Sequence, residues 1–331
     1  MALFIARYDL RGPDGGPSHA DLYRTALDQA AWCEQHRFDM LVLSEHHGVG
    51  DGYLPSPVTL AASMSAVTTS IPIMISALLV PLHDPIRLAE QIAVLDLASQ
   101  GRVQYTAGLG YRPEEYEQAG LDWKDRGRRM EHCLETLFAA WTGEPFDHEG
   151  RTVRVTPKPC SQPGPMMFYG GGSVAAAKRA ARFDLPLFAQ HGDPSIGQAY
   201  QEARAELGLE PGLALAPPQE GPGTIFVSHD PDRTWERIGP QLLHEATEYA
   251  SWQQGVTSAV HDKSETIDEM KKAGVYAVMT PDECVEYANS IGPMDPVTTH
   301  PLCGGIEPDV AWEHLELLGN EVIPRVKGPL A

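Results

Sequence analysis

Short apolar runs alternate with amphipathic stretches along the chain, and that alternation is the first guide to the fold. Residues 3–8 (LFIARY) read as a strand. Ser18 sits where a helix N-cap belongs, with Asp21 three positions on, and Leu22, Ala26, Leu27, Ala30 and Ala31 recur at helical spacing. Residues 40–43 make a second strand, and Pro57 opens a helix that runs to about residue 69. The run 71–80 is almost wholly apolar, which predicts a third strand buried on both faces. Pro85 falls in a first helical turn, Leu88, Ile92, Leu95 and Leu97 follow, and Gly101 stops the helix.

The pattern continues with a strand at 103–107, a helix at 127–142, a small hairpin at 146–155 and strands at 166–169 and 185–189. Weaker runs at 225–227 and 297–302 supply a seventh and an eighth strand, and residues 308–323 form a closing helix between Pro308 and Pro324. Repeated strand–helix units predict parallel strands, in an open sheet or a closed barrel. Segment 208–265 is rich in Pro, Gly and polar residues and reads as a variable insertion, a candidate lid. A barrel of this type routinely exceeds about 250 residues as one domain, so the reading takes 1–331 as a single domain.

The formal net charge of −20 argues against nucleic acid and anionic membranes, which call for a basic surface. No apolar stretch is long enough for a spanning helix, and no signal peptide is visible. The five cysteines are widely spaced and form no CxxC pair, as expected for reduced thiols of a cytoplasmic protein.

Active sites of such folds lie at the carboxyl ends of the strands, so the segments just after each strand carry the candidate chemistry. Ser44-Glu45-His46-His47-Gly48 follows the second strand. The two histidines and the carboxylate can orient a ring or move protons; adjacent residues on extended chain diverge, and no metal site is expected. Pro81-Leu82-His83-Asp84-Pro85 follows the third strand as a tight turn. After the fourth come Gly108 and Gly110, whose missing side chains let backbone approach a ligand. After the fifth, Gly170-Gly171-Gly172-Ser173 opens a helix, which makes an anion site of free amides with a Ser173 cap. GxxxxGK[ST] and GxSxG are both missing, which excludes a P-loop NTPase and argues against an α/β-hydrolase.

The ordered series FDMLVLSEHHG, ISALLVPLHDPIRLAEQIAVLDLASQGR, GLGYRPEEYEQAGLD, YGGGSVAAAKRAARFDLP and HPLCGGIEPDVAWEHLELLGNEVIPRV resembles the bacterial luciferase-like monooxygenase superfamily. The resemblance implies a (β/α)8 TIM barrel with insertions. It implies an enzyme acting on a small organic molecule with reduced FMN and oxygen, or alternatively with the deazaflavin coenzyme (F-420) as hydride carrier. A flavin-binding subunit without catalysis is the alternative of another class. By resemblance His46 is the catalytic histidine, with Glu45 and His47 beside it. The Ser76–Ala77 bond falls where the family has a non-prolyl cis peptide against the flavin ring, and 170–173 falls at the phosphate loop. Leu109 and Gly172 stand where luciferase has a phosphate-contacting arginine and a glutamate, so Arg112, Lys178 or Arg179 become candidates for the positive charge. The resemblance also implies a homodimer and a separate flavin reductase.

Overall fold

The computed structural model of the protein describes residues 1–218, 221–252 and 262–327. The first half runs β1 (Leu3–Tyr8), α1 (His19–Gln35), β2 (Met40–Leu43), α2 (Pro57–Val67), β3 (Ile73–Leu78), α3 (Pro85–Ser99), β4 (Val103–Ala107), α4 (Pro113–Gln118) and α5 (Arg126–Trp141). After the hairpin β5 (Phe146–His148) and β6 (Arg151–Val153) come β7 (Met167–Gly171), α6 (Val174–Arg182), β8 (Leu187–Ala189) and α7 (Pro194–Glu206). The last part holds β9 (Ala214–Leu215), β10 (Thr224–Val227), α8 (Pro231–Trp252), α9 (Ile267–Ala273), β11 (Tyr276–Met279), α10 (Pro281–Ser290), β12 (Pro296–Thr299), α11 (Pro308–Leu317) and α12 (Ile323–Lys327).

Local chemistry explains where these helices start. Ser18 accepts from the Asp21 amide at the head of α1, as its position predicts. Asp84, Asp193 and Thr280 cap α3, α7 and α10, each followed by a proline that costs the first turn no hydrogen bond. Gln100 in the left-handed region and Gly101 end α3.

Eight strands form one parallel sheet in the order β12-β1-β2-β3-β4-β7-β8-β9, so the last strand lies beside the first. Burial alternates along β1. Phe4, Ala6 and Tyr8 are sealed against the helices, whereas Leu3, Ile5 and Arg7 on the other face are only half-buried. The same alternation marks β2 and β12. The apolar core therefore sits between sheet and helices, with Phe4, Leu41 and Ile75 meeting Leu22, Leu60, Ile92 and Leu134. The inner faces of β1, β2, β3, β4, β7, β8, β9 and β12 line a common cavity, so the sheet is curled.

Several elements differ from the sequence expectation. The run 71–80 stops pairing at Leu78, and Val80–Leu82 is a 3-10 turn, because Pro81 has no amide to donate to a ladder. The expected seventh strand, β10, pairs with β11 and stands outside the eight-stranded sheet. The eighth is Pro296–Thr299 and ends before Pro301. The closing helix changes pitch at Leu318–Val322, where Gly319 lies flush against Trp32. Segment 208–265 contains β9, β10 and the 22-residue α8, with 219–220 and 253–261 outside the described residues. No described helix is long and apolar enough to cross a membrane.

Candidate active site

The cavity enclosed by the strand ends has a volume of about 1540 Å³. Glu45, His46, Ser76, Ala77, Gly108, Gly110, Gly170, Gly171, Gly172 and Ser173 all line it. His47 does not; it turns back onto Glu45. Segments from four separate strand ends thus meet in one place, and the Ser76–Ala77 peptide bond is cis.

His46 follows β2 and is almost fully buried. Its Nδ1 lies 2.7 Å from Glu115 Oε1, and its Nε2 lies 3.0 Å from the Tyr111 hydroxyl. The His47 amide donates to the same Glu115 oxygen at 3.0 Å, and Arg112 Nη1 approaches it at 3.4 Å. Glu115 is on α4, two residues past Pro113, so the GLGYRPEE segment after β4 carries both groups that flank the imidazole. The rings of Tyr53 and Trp252 pack against it at 4.8 and 4.9 Å. Burial pulls His46 below its ordinary pKa; Glu115 opposes this, and Arg11 and Arg112 reinforce it. The ring is therefore neutral at pH 7. With Nδ1 facing a carboxylate, the proton sits on Nδ1 and Nε2 is left to accept from Tyr111.

Glu45 has a different task from the one its place beside His46 suggests. Its Oε1 is 2.9 Å from His47 Nε2 and 3.0 Å from His83 Nε2, and its Oε2 accepts from the Leu79 amide at 2.6 Å. Burial alone would raise this carboxyl, but hydrogen bonds from His47 and His83 hold it down to about 2. Glu45 thus clamps the turn after β3 to the loop after β2, and the carboxylate on His46 is Glu115.

At the opposite wall, Gly170 and Gly171 end β7, and Ser173 caps α6 by accepting from the Ala176 amide at 3.2 Å. A Cβ on Gly172 would meet the His191 ring at 2.8 Å, and one on Gly170 would meet Thr106 at 2.7 Å. Side chains would crowd this turn, and the glycines leave bare amides and a helix N-terminus facing the cavity, the chemistry of an anion cradle. His191 also lines the cavity, with Nε2 3.1 Å from the Gly172 carbonyl oxygen. Of the candidate cations Arg112 lines the cavity and lies over Trp252 at 4.4 Å. Lys178 is exposed and Arg179 pairs with Glu131, both away from the lining. Arg126, stacked on Trp123 at 3.9 Å, joins Arg112 there.

A buried polar network next to β1 and β12 escaped the sequence reading. Arg11, fully buried, holds Asp9 at 3.0 Å and Asp51 at 2.7 Å and lies over Tyr53, Tyr249 and Trp252. His300 Nε2 lies 3.1 Å from Asp9, its Nδ1 3.2 Å from Glu245, and Cys303 donates to Glu245 at 2.8 Å. Burial opposes charge on His300, but the two carboxylates win and hold it up to about 9. Glu245, His300 and Cys303 group their O, N and S atoms as a metal site would; here each is engaged within the network. The search after strand ends, applied to DLR following β1 and to His300 following β12, was the signal that could have found it.

With this geometry in place, comparison with known proteins identifies the relatives. A family model described as luciferase-like monooxygenase matches residues 6–299. An uncharacterized protein of Sinorhizobium fredii is 27% identical over 176 residues, covering 52% of this chain and 50% of that protein, so the chain spans about half the length of this curated relative. Among solved structures, a monooxygenase from Streptomyces bottropensis superposes with a TM-score of 0.74 at 19% identity, covering 97% of this chain and 99% of the other. The oxygenating constituent of 3,6-diketocamphane monooxygenase from Pseudomonas putida, in complex with FMN, gives 0.69 at 19% identity, covering 100% and 99%. An F-420-dependent secondary alcohol dehydrogenase in complex with an F-420–acetone adduct gives 0.68 at 17% identity, covering 98% and 99%.

Proposed function

Because this chain belongs to the luciferase-like monooxygenase family, we propose that it is an oxidoreductase that uses reduced FMN and oxygen on a small organic substrate. One observation carries the reading: a glycine-walled anion cradle at 170–173 and the neutral imidazole of His46 face the same cavity of about 1540 Å³. The residues fit the cofactor. Gly171, Gly172, Ser173 and the first turn of α6 would hold its phosphate, and Ser76, Ala77, Gly108 and Gly110 would flank its ring.

Bound reduced flavin supplies the electrons; the protein supplies binding, orientation and proton control. Glu115 fixes the His46 tautomer, and Nε2 takes a proton from, or returns one to, a donor reached through the Tyr111 hydroxyl. Glu45 keeps the loops bearing His46 and Ala77 in register. The aromatic wall of Tyr53 and Trp252 keeps water from the imidazole.

The likeness to an F-420-dependent dehydrogenase supports a second reading, hydride transfer with the deazaflavin in the same cavity. Anaerobic titration of the purified protein with each reduced cofactor separates the two. The expected result is tight binding of reduced FMN and weak binding of the deazaflavin; the reverse overturns the first reading. The proposal extends to a (β/α)8 barrel in which β10, packed beside β12, and β11 close the gap beyond β9. It also takes in a cytoplasmic homodimer served by a separate reductase.

A further inference from the structure

The cavity continues below the strand ends, past Ser76 and Ala77, into the curl of the sheet. Its lower walls are apolar: Leu3, Ile5, Met40, Val42 and Met74 all face it. On β1 the inward residues Leu3, Ile5 and Arg7 keep some exposure while their outward neighbours keep none. A filled barrel interior would bury both sets.

Three polar side chains, Arg7, Gln104 and Thr298, interrupt these walls. Arg7 is level with Val42, Val42 with Met74, and Met74 with Gln104, so Arg7 and Gln104 occupy one tier of the sheet, two residues below Ser44, Ser76 and Thr106. Thr298 faces the same space from β12, paired with Ile5. Among the described residues Arg7 donates one hydrogen bond, from Nη2 to the Tyr249 hydroxyl at 2.6 Å, and has no carboxylate within ion-pair distance. The nearest acids are engaged elsewhere, Asp9 with Arg11 and His300, and Glu245 with His300, Tyr276 and Cys303. Thr106 Oγ1 is buried with no partner. The remaining guanidinium N–H groups of Arg7 therefore point into an apolar chamber and are left for a ligand, the usual design of an organic-ligand pocket with few orienting polar groups.

Resting on the cavity assignment made above, we propose that this chamber is the substrate site and that Arg7 selects an apolar molecule with an acidic or oxyanionic head, a carboxylate, enolate or phenolate. A guanidinium pairs such a head through two parallel N–H groups. Gln104 can donate to the same head from across the tier, and the hydrocarbon part fills the space among Ile5, Met40, Val42 and Met74. The Tyr249 hydroxyl touches both Arg7 and Tyr53, and the Tyr53 ring packs on His46, so two tyrosines link the Arg7 guanidinium to the proton-handling group.

The test uses FMN-loaded protein and matched probes by calorimetry: octanoate against octanamide, phenylacetate against phenylacetamide, and 4-nitrophenolate against nitrobenzene. At least one anion should bind about tenfold or more tighter than its neutral partner, the worth of a charge-assisted hydrogen bond. Arg7→Met should bring that anion down to the level of its neutral partner and leave the partner unchanged, and Arg7→Lys should recover part of the preference. A merely structural role for Arg7 would weaken both members of a pair. Gln104→Leu, which keeps Arg7 and the fold of β1, should reduce the same preference several-fold and serves if Arg7→Met does not fold. Equal binding of anions and neutral partners by the wild type, or an intact preference in Arg7→Met or Gln104→Leu, overturns the proposal. FMN affinity is measured first on each sample. Loss of flavin binding speaks against the cofactor, whereas the Arg7-dependent preference, read also on flavin-free protein, speaks to the chamber.

Discussion

His46 Nδ1 lies 2.7 Å from Glu115 Oε1, so a carboxylate on α4 sets the protonation of an imidazole that follows β2. The same oxygen takes the His47 amide, which locks the loop as well as the ring.

Glu115→Gln keeps the shape and removes the charge that raises His46. Turnover should fall about tenfold to a hundredfold, the scale of a mispositioned acid–base group, while FMN still binds. The acid limb of the kcat/KM profile should move to lower pH, since burial, Arg11 and Arg112 are then less opposed. A limb that stays put would remove Glu115 from control of the imidazole.

Arg11→Met leaves Asp9 and Asp51 as buried carboxylates without their shared cation. Urea unfolding should show a loss of about 3–5 kcal/mol, the range for breaking one side of a buried pair. The same change should raise the His46 pKa, because Arg11 lowers it. NMR titration of the imidazole reads this.

Gly172→Ala sets a methyl group against His191 and crowds the anion cradle. FMN affinity should weaken by about tenfold or more, and riboflavin, which has no phosphate, should be little affected. Fluorescence titrations with both flavins give the comparison; equal loss for the two would place the phosphate elsewhere.

His300 is held up to about 9 by Asp9 and Glu245. A histidine raised in the folded state contributes stability that is whole below about 6.5, its unfolded value, and lost as pH climbs through the folded one. Melting temperature should therefore drop by a few degrees between about pH 6.5 and pH 9, and His300→Gln should flatten the curve in that window. A wild-type curve that stays level there, under matched ionic strength, would contradict the ion pair.

What the sequence made legible was local. The Ser18 cap, the glycine turn at 170–173 and the SEHHG segment after β2 each depend on neighbours in the chain, and each is where its pattern put it. What it hid was decided by tertiary contacts. Glu114, Glu115 and Glu117 are one residue type within five positions, and only the packing of α4 selects Glu115 to face His46. β9 has two residues, too few to show a period of two. The helix α8 contains Pro240 and mixes Trp, Tyr and charged side chains, which blurs its apolar stripe, yet it delivers Glu245, Tyr249 and Trp252 to the site.

The pairing of Leu3 with Pro296 has a consequence for biosynthesis. Asp9 leaves the ribosome 291 residues ahead of His300, so the inner surface is not enclosed until that whole intervening stretch has been made. Until then Ile5, Val42 and Met74 are bare, and a nascent chain stalled before β12 is a ready client for chaperones.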